Sequence, residues 1–219
     1  MIFDVLNSSI IGSLKRRFMV SGQITKDSEI GRWLMLIASL SEVSTIVEIG
    51  TWNGQGSTKL LCLGVKQRPK RERDKVQFHG YEIHPSMFKK ARRMQTKSNF
   101  LHIHHGSIIQ SSDLDSQDLT TVERLWFDQD KRLIEKYPNV HHTVPNSIDL
   151  LVLDGGEFST FAEFLTLRPR VVRWIVLDDT NVRKCKKIVD YLENDPAFDL
   201  VFESSERNGI AVYCRKKLE

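Results

Sequence analysis

A glycine-spaced turn that follows a short β-branched run is the most chemically informative segment of this chain. The run Thr45 to Ile49 has the composition of a strand, and Gly50, Gly54 and Gly56 punctuate the turn after it. A helical pattern begins directly afterwards. Strand, glycine loop and helix in this order form the entrance to nucleotide-type cofactor sites, because glycine lets the backbone approach a ligand that a Cβ would push away. The segment therefore predicts a cofactor site.

Acidic residues end three of the strands that the sequence predicts. The second strand ends in Glu82, the fourth is followed by Asp154, and the fifth by Asp178 and Asp179. In an open parallel sheet, ligands bind outside the carboxyl ends of the strands, so we expect these acids along one edge. A carboxylate in the position of Glu82 can accept hydrogen bonds from both hydroxyls of a ribose.

The three aspartates predict either a metal site or a helix cap. Carboxylates that converge without partners repel one another and are forced to take up protons. A divalent cation removes that conflict, and ligands that are all oxygen suit magnesium, manganese or calcium. We therefore expect Asp154, Asp178 and Asp179 to hold such a cation. In the alternative, Asp178 or Asp179 caps the following helix, with Thr180 and Asn181 nearby.

Seven predicted strands, five of them alternating with helices, must position these residues. The strands span residues 45–49, 76–82, 99–105, 148–153, 171–177, 198–203 and 210–215. Asn208-Gly209 is a turn signal that joins the last two strands as an antiparallel hairpin. The pattern predicts an α/β fold, a doubly wound and mostly parallel seven-stranded sheet with a C-terminal antiparallel hairpin.

Length and composition favour one domain. The chain has 219 residues, and we assign residues 44–219 to the cofactor-binding domain. Residues 1–43 predict an N-terminal helical segment of two helices that acts as a lid or contributes to the acceptor site. No stretch reaches the ~18 apolar residues of a membrane span, and the basic residues after the apolar N-terminus are in the wrong order for a secretory signal. Three widely spaced cysteines favour a reducing compartment, so we expect a cytoplasmic protein without a membrane partner.

The segment Glu-x-Gly-x-x-x-Gly, from Glu48 to Gly54, resembles the first motif of class I S-adenosylmethionine-dependent methyltransferases. The acid at Glu82 and the closing hairpin resemble the same family, over roughly residue 28 to the C-terminus. The resemblance implies that Glu82 binds the ribose of S-adenosylmethionine, that Ser107 and Ile108 contact its base, and that the loop at Gly50 contacts its methionine part. The implied cofactor contacts are Glu48, Gly50, Thr51, Trp52, Gly54, Ser57, Glu82, Ser107, Ile108 and Asp154.

The aspartate cluster resembles a narrower set, the metal-dependent O-methyltransferases. The catechol and caffeoyl-coenzyme A types, and the cephalosporin hydroxylase and macrocin methyltransferase group, place an aspartate after the fourth strand and an acidic or Asp-Asn pair after the fifth. Asp154-Gly155-Gly156, with Phe158 two residues on, is particularly similar to the second group. The resemblance implies methylation of a small-molecule hydroxyl, assisted by Mg²⁺, Mn²⁺ or Ca²⁺ that stabilises the alkoxide.

Glu157 departs from this pattern, because these families usually place His or Lys three residues after the strand-four aspartate. A glutamate can serve as the base if its pKa is raised, or it can join the metal shell. We therefore take Asp154 and Glu157 as the candidate catalytic residues. The departure also suits a homologue that binds the cofactor without catalysis, alone or as a partner subunit.

Two further functions compete with a small-molecule methyltransferase. The glycine spacing also fits short-chain dehydrogenases, but their Tyr-x-x-x-Lys pair matches only Tyr213 with Lys217, in a terminal strand and tail. An RNA or other nucleic-acid methyltransferase would use the basic run 66–75 for phosphates, together with Arg168, Arg170 and Arg173. The simpler interpretation of residues 66–75 is a solvated loop. We expect a small-molecule acceptor and leave a homo-oligomer open.

Overall fold

The structure, a computed structural model, describes residues 24–116 and 118–216. The strands are β1 (Thr45–Ile49), β2 (Gln77–Glu82), β3 (Leu101–His105), β4 (Ile148–Leu153), β5 (Val171–Asp178), β6 (Phe198–Ser204) and β7 (Ile210–Arg215). The helices are α1 (Glu29–Ser39), α2 (Ser57–Lys66), α3 (Lys70–Arg73), α4 (Pro85–Gln95), α5 (Thr121–Lys136), α6 (Thr160–Leu167) and α7 (Arg183–Glu193). Of the two helices predicted within residues 1–43, the second is α1, and the first falls on residues 1–23, outside the described residues.

The seven strands form one sheet in the order β3-β2-β1-β4-β5-β7-β6. Strands β1 to β5 are parallel, and β7 lies antiparallel between β5 and β6. The predicted doubly wound sheet with a closing hairpin is therefore confirmed. Strand order changes direction where β1 lies between β2 and β4, and this switch point is where a doubly wound sheet opens a crevice for ligands.

Helices cover both faces of the sheet, because its central strands are buried on both sides. In β4, the residues from Leu150 to Leu153 are all buried, and they alternate between two cores. Leu151 and Leu153 pack with residues of α6 and α7, whereas Leu150 and Val152 pack with residues of α1 and α2. Such continuous apolar runs are typical of parallel strands with both faces covered. No helix among the described residues is long and apolar enough to cross a membrane.

The basic run 66–75 lies at the amino edge of the sheet. It leads directly into Gln77, which pairs with Thr45, the first residue of β1. Residues from Lys70 to Arg73 form α3 after Pro69, so the interpretation of the whole run as a loop is corrected. Arg68 is buried, and its guanidinium donates to the backbone carbonyls of Ala38 and Val43. Part of the run therefore stabilises the fold.

Candidate functional site

A cavity of about 330 Å³ opens at the carboxyl ends of β1, β2 and β4, the edge opposite the basic run. Its walls are the loops after these strands and after β3, together with one face of α5. That face contributes Gln129, Asp130, Leu133 and Ile134. The volume lies within the range of roughly 300–1,000 Å³ that small-molecule sites occupy. The switch point of the sheet therefore carries a cavity of suitable size for a cofactor.

Four carboxyl groups line the cavity, and no lysine or arginine is among its described lining residues. The acids are Glu82, Asp130, Asp154 and Glu163. Burial raises the pKa of Glu82 to about 7, that of Asp130 to about 6 and that of Glu163 to about 8. Burial also raises the pKa of Asp154. A cationic ligand would favour the ionised form of each acid, so the lining suits positive charge.

Backbone N–H groups of the loops after β1 and β2 fix the carboxylate of Glu82. Its Oε2 accepts the backbone N–H of Trp52 at 2.7 Å, and its Oε1 accepts the backbone N–H of His84 at 2.7 Å. Trp52 has a φ of 50°, an unusual left-handed conformation for a large residue, and this turns its N–H toward the acid. Each carboxylate oxygen can accept a second hydrogen bond, so Glu82 is held in place with capacity left for ligand hydroxyls.

Gly50 and Gly54 are both required by the packing of the loop after β1 and by its backbone conformation. Gly50 has a φ of 86°, and a Cβ there would collide with the backbone carbonyl of Asp154. Gly54 has a φ of 78°, and its Cβ would lie 3.1 Å from the Cα of Ala91 and from the Cγ of Met94. The loop after β1 thus fits tightly against α4 and the loop after β4.

Glu48 lies beneath the glycine loop and does not line the cavity. Its Oε2 accepts a hydrogen bond from Thr58 Oγ1 at 2.6 Å, while Oε1 has no partner among the described residues. Complete burial raises the pKa of Glu48 to about 8. We infer that the protonated carboxyl supports the loop from below, because an ionised and half-paired carboxylate would be costly there.

The structure divides the predicted cofactor contacts into two sets. The cavity is lined by Gly50, Trp52, Glu82, Ser107 and Asp154. The residues outside the lining are Glu48, Thr51, Gly54, Ser57 and Ile108. All of the second set are buried, so they shape the loops that carry the first set.

The three predicted metal ligands lie together, but two cations of the chain lie among them. One oxygen each of Asp154, Asp178 and Asp179 falls within 4.8 Å of the others. Lys184 Nζ lies 2.7 Å from Asp154 Oδ1 and 2.5 Å from Asp179 Oδ2. Arg207 Nη2 lies 3.0 Å from Asp178 Oδ2. The alternative of a helix cap is not seen, since α7 has Val182 at its N-cap position and no capping side-chain bond.

Glu157 is held at the start of α7. Its Oε1 accepts the backbone N–H of Lys184 at 3.2 Å, and it is not among the residues that line the cavity. Its predicted role as base stays a prediction, whereas another acid, Asp130, does line the cavity. Sequence reasoning missed Asp130 and Glu163 because acids inside amphipathic helices carry no signal that separates them from solvated residues.

Comparisons with solved structures find methyltransferases of similar fold. A Staphylococcus aureus protein assigned provisionally as a caffeoyl-CoA O-methyltransferase superposes with a TM-score of 0.60, at 14% identity, covering 98% of this chain and 97% of that one. The O-methyltransferase TomG from Streptomyces achromogenes, in complex with SAM, gives 0.59 at 14% identity, covering 92% and 86%. The O-methyltransferase from Bacillus cereus, in complex with SAH, gives 0.56 at 14% identity, covering 95% and 91%. No protein-family model and no curated protein matches the chain.

These likenesses extend over nearly the whole chain, and they show the fold. The fold implied by the resemblance to class I methyltransferases, which Glu48, Gly50 and Gly54 first indicated, is therefore confirmed. The Bacillus cereus and Streptomyces achromogenes proteins of this fold are O-methyltransferases with SAH or SAM bound.

Proposed function

We propose that this chain is an S-adenosylmethionine-dependent methyltransferase that acts on a hydroxyl of a small molecule. The observation that carries the proposal is the acid-lined cavity at the switch point, with Glu82 fixed at the end of β2. S-adenosylmethionine carries one carboxylate, but its ribose diol and its two positive groups, a sulfonium and an ammonium, all match carboxylates. A nicotinamide dinucleotide would instead bring a pyrophosphate, which the ionised carboxylates of the lining would repel.

The residues of the cavity suggest a division of roles. Glu82 accepts hydrogen bonds from the ribose, and the apolar side chains of Ile83, Leu133 and Ile134 offer a surface for the base. Asp154 and Glu163, on the opposite loop and on α6, offer carboxyl oxygens to the cationic end, whose positive charge would favour their ionised forms. The bound cofactor would supply a methyl group from its sulfonium for in-line displacement, which depends mainly on positioning. The chain then has to hold the acceptor and remove its proton.

Metal assistance fits this donor set poorly. A divalent cation would be held by Asp154, Asp178 and Asp179 and would stabilise the acceptor alkoxide. Lys184 and Arg207 are already paired with these three carboxylates, so the proposed reaction contains no metal step.

A small-molecule acceptor is favoured over a nucleic acid by the position of the basic residues. The run 66–75 precedes β2, whereas the cavity lies beyond its far end, and strands of five or six residues separate the two edges by about 17–20 Å. The other basic residues, Arg168, Arg170 and Arg173, have structural partners. Arg168 pairs with Asp195, and Arg173 pairs with Asp149. Arg170 donates to the backbone carbonyls of Val144 and Pro145.

Calorimetric titration of the wild type tests the proposed cofactor. We expect one-to-one binding of S-adenosylmethionine and of S-adenosylhomocysteine, and no binding of NAD⁺ or NADP⁺ under the same conditions. Binding of a dinucleotide without binding of S-adenosylmethionine would contradict the proposal and return the glycine loop to the dehydrogenase interpretation.

Asp130 is the residue that we expect to take the proton of the acceptor. It lines the cavity, and its pKa, raised by burial to about 6, leaves it mostly ionised yet basic near neutral pH. Asp130→Asn should lower turnover about a hundredfold or more while S-adenosylmethionine still binds. Turnover is measured as S-adenosylhomocysteine formation with an acceptor found by screening phenols and alcohols.

The competing variant is Glu157→Gln, which changes the other candidate base, an acid outside the cavity lining. We expect its turnover to stay within severalfold of the wild type. The reverse result, a large loss in Glu157→Gln and little change in Asp130→Asn, would assign the base to Glu157.

A further inference from the structure

Lys184 brings a buried ammonium into the aspartate cluster. It stands in the first turn of α7 with only 7% of its side chain exposed, and its Nζ lies between Asp154 Oδ1 at 2.7 Å and Asp179 Oδ2 at 2.5 Å. Although burial lowers it, the two carboxylates raise the pKa of Lys184 well above its usual value. The same ammonium lowers the pKa of Asp179 against the effect of burial.

The tip of the β6–β7 hairpin supplies the second cation. Arg207 donates to both oxygens of Asp178, from Nη2 at 3.0 Å and from Nε at 3.4 Å. Asn208 Nδ2 donates to Asp179 Oδ1 at 2.9 Å. Together with Lys184, these residues occupy five of the six carboxylate oxygens of the cluster.

Backbone hydrogen bonds fasten this hairpin tip to the loop between β5 and α7. The N–H of Thr180 donates to the carbonyl of Gly209 at 3.1 Å, and that of Asn181 donates to the carbonyl of Asn208 at 2.8 Å. A Cβ at Gly209 would collide with the side chain of Thr180, so the glycine allows the close approach. The two cations therefore lie on two fixed elements of the fold, which are α7 and the tip of the β6–β7 hairpin.

A divalent cation would have to occupy the space that the ammonium of Lys184 fills. Mg²⁺ requires oxygen ligands at about 2.1 Å in octahedral geometry, and so do ions of similar size with slightly longer bonds. Entry of the ion would expel Lys184 from its two carboxylates and leave a buried ammonium without a counter-charge, which is strongly unfavourable.

We infer that the ammonium of Lys184 takes the place of the divalent cation in this cluster, so that the chain carries its own cation and needs no metal. Lys184 is then a positioning residue, because it holds Asp154, which lines the cavity, without itself being part of the lining. This inference concerns cation binding alone, so it can be tested whether or not the chain binds S-adenosylmethionine.

Titration with Mn²⁺ alone tests the assignment. The concentration of the free ion is measured by electron paramagnetic resonance. We expect no stoichiometric binding by the wild type. Lys184→Ala removes the ammonium from the centre of three carboxylates, so this variant should bind Mn²⁺ with an affinity at least about tenfold higher than that of the wild type. Lys187→Ala is the matched control, because Lys187 lies on the same helix, is exposed and pairs with Asp115, and this variant should behave as the wild type.

Two results would overturn the inference. One is stoichiometric Mn²⁺ binding by the wild type that Asp178→Asn abolishes, and the other is a folded Lys184→Ala variant that binds no better than the wild type. Circular dichroism establishes whether the variant folds. If it does not, the wild-type titration decides alone, since binding there contradicts the inference and its absence supports it.

Discussion

Replacement of Glu82 by alanine is expected to lower the affinity for S-adenosylmethionine by about a hundredfold or more. The ribose would lose two charge-assisted hydrogen bonds, each contributing about 1.5–3 kcal/mol. The backbone amides of Trp52 and His84 would lose their acceptor at the same time, so the cavity wall would loosen as well. Calorimetric titration of wild type and variant measures the difference directly.

Two controls separate the ribose contact from damage to the loop. Glu82→Gln keeps the size of the side chain and one acceptor oxygen, so we expect an intermediate loss of about tenfold, since the charge assistance is gone. Adenosine, which has the ribose but neither cationic group, should show the same relative loss. Thermal unfolding shows whether the Glu82→Ala variant folds as the wild type does. If it does and still binds S-adenosylmethionine equally well, the ribose must bind elsewhere.

The fold was readable because its signals are local. The bounds of β1 and β4 were predicted to the residue, since each is an apolar run that ends at a polar or glycine turn. Chain order then fixes most of the topology, because parallel strands joined by helices cross over with one hand. The C-terminal hairpin followed from Asn208-Gly209, whose glycine has a φ of 93°.

The chemistry of the site depends on contacts that no local pattern encodes. Lys184 lies 30 positions from Asp154, and Arg207 lies 29 positions from Asp178, so their pairing exists only after the sheet and hairpin have formed. The sequence showed three acids at strand ends and suggested a metal to neutralise them. It contained no sign that a helix and a hairpin tip each deliver a cation to the same point.

Asp130 illustrates a second limit. In the sequence it is one charged residue among many on α5, and only the packing of that helix over the cavity distinguishes it from its solvated neighbours. Secondary structure is a property of short segments, whereas the burial of one carboxyl depends on how segments distant in sequence pack together. Site residues at the ends of strands can therefore be predicted, and those on covering helices cannot.

We expect the free energy of unfolding of the wild type to decline between pH 5 and pH 8, and we expect Glu48→Gln to remove a large part of that decline. Burial raises the pKa of Glu48 from 4.5 to about 8, so the folded state keeps a proton that the unfolded state releases. The associated stability is fully present below pH 4.5 and is lost as the pH rises through about 8. For one fully buried group this amounts to about 1–4 kcal/mol, and Glu163, whose pKa burial also raises to about 8, adds to the same decline.

Urea unfolding at pH 5, 6.5 and 8 measures this effect, because the glutamine cannot titrate and should give a flatter profile than the wild type. Glu135→Gln is the matched control, since Glu135 is exposed on α5 and its removal should leave the profile unchanged. The acid of the Glu-x-Gly motif would then act as a neutral hydrogen-bonded support beneath the loop, and its glutamine variant should still bind S-adenosylmethionine. A profile for Glu48→Gln as steep as that of the wild type would mean that Glu48 is ionised in the folded state and that its unpaired Oε1 has found a donor.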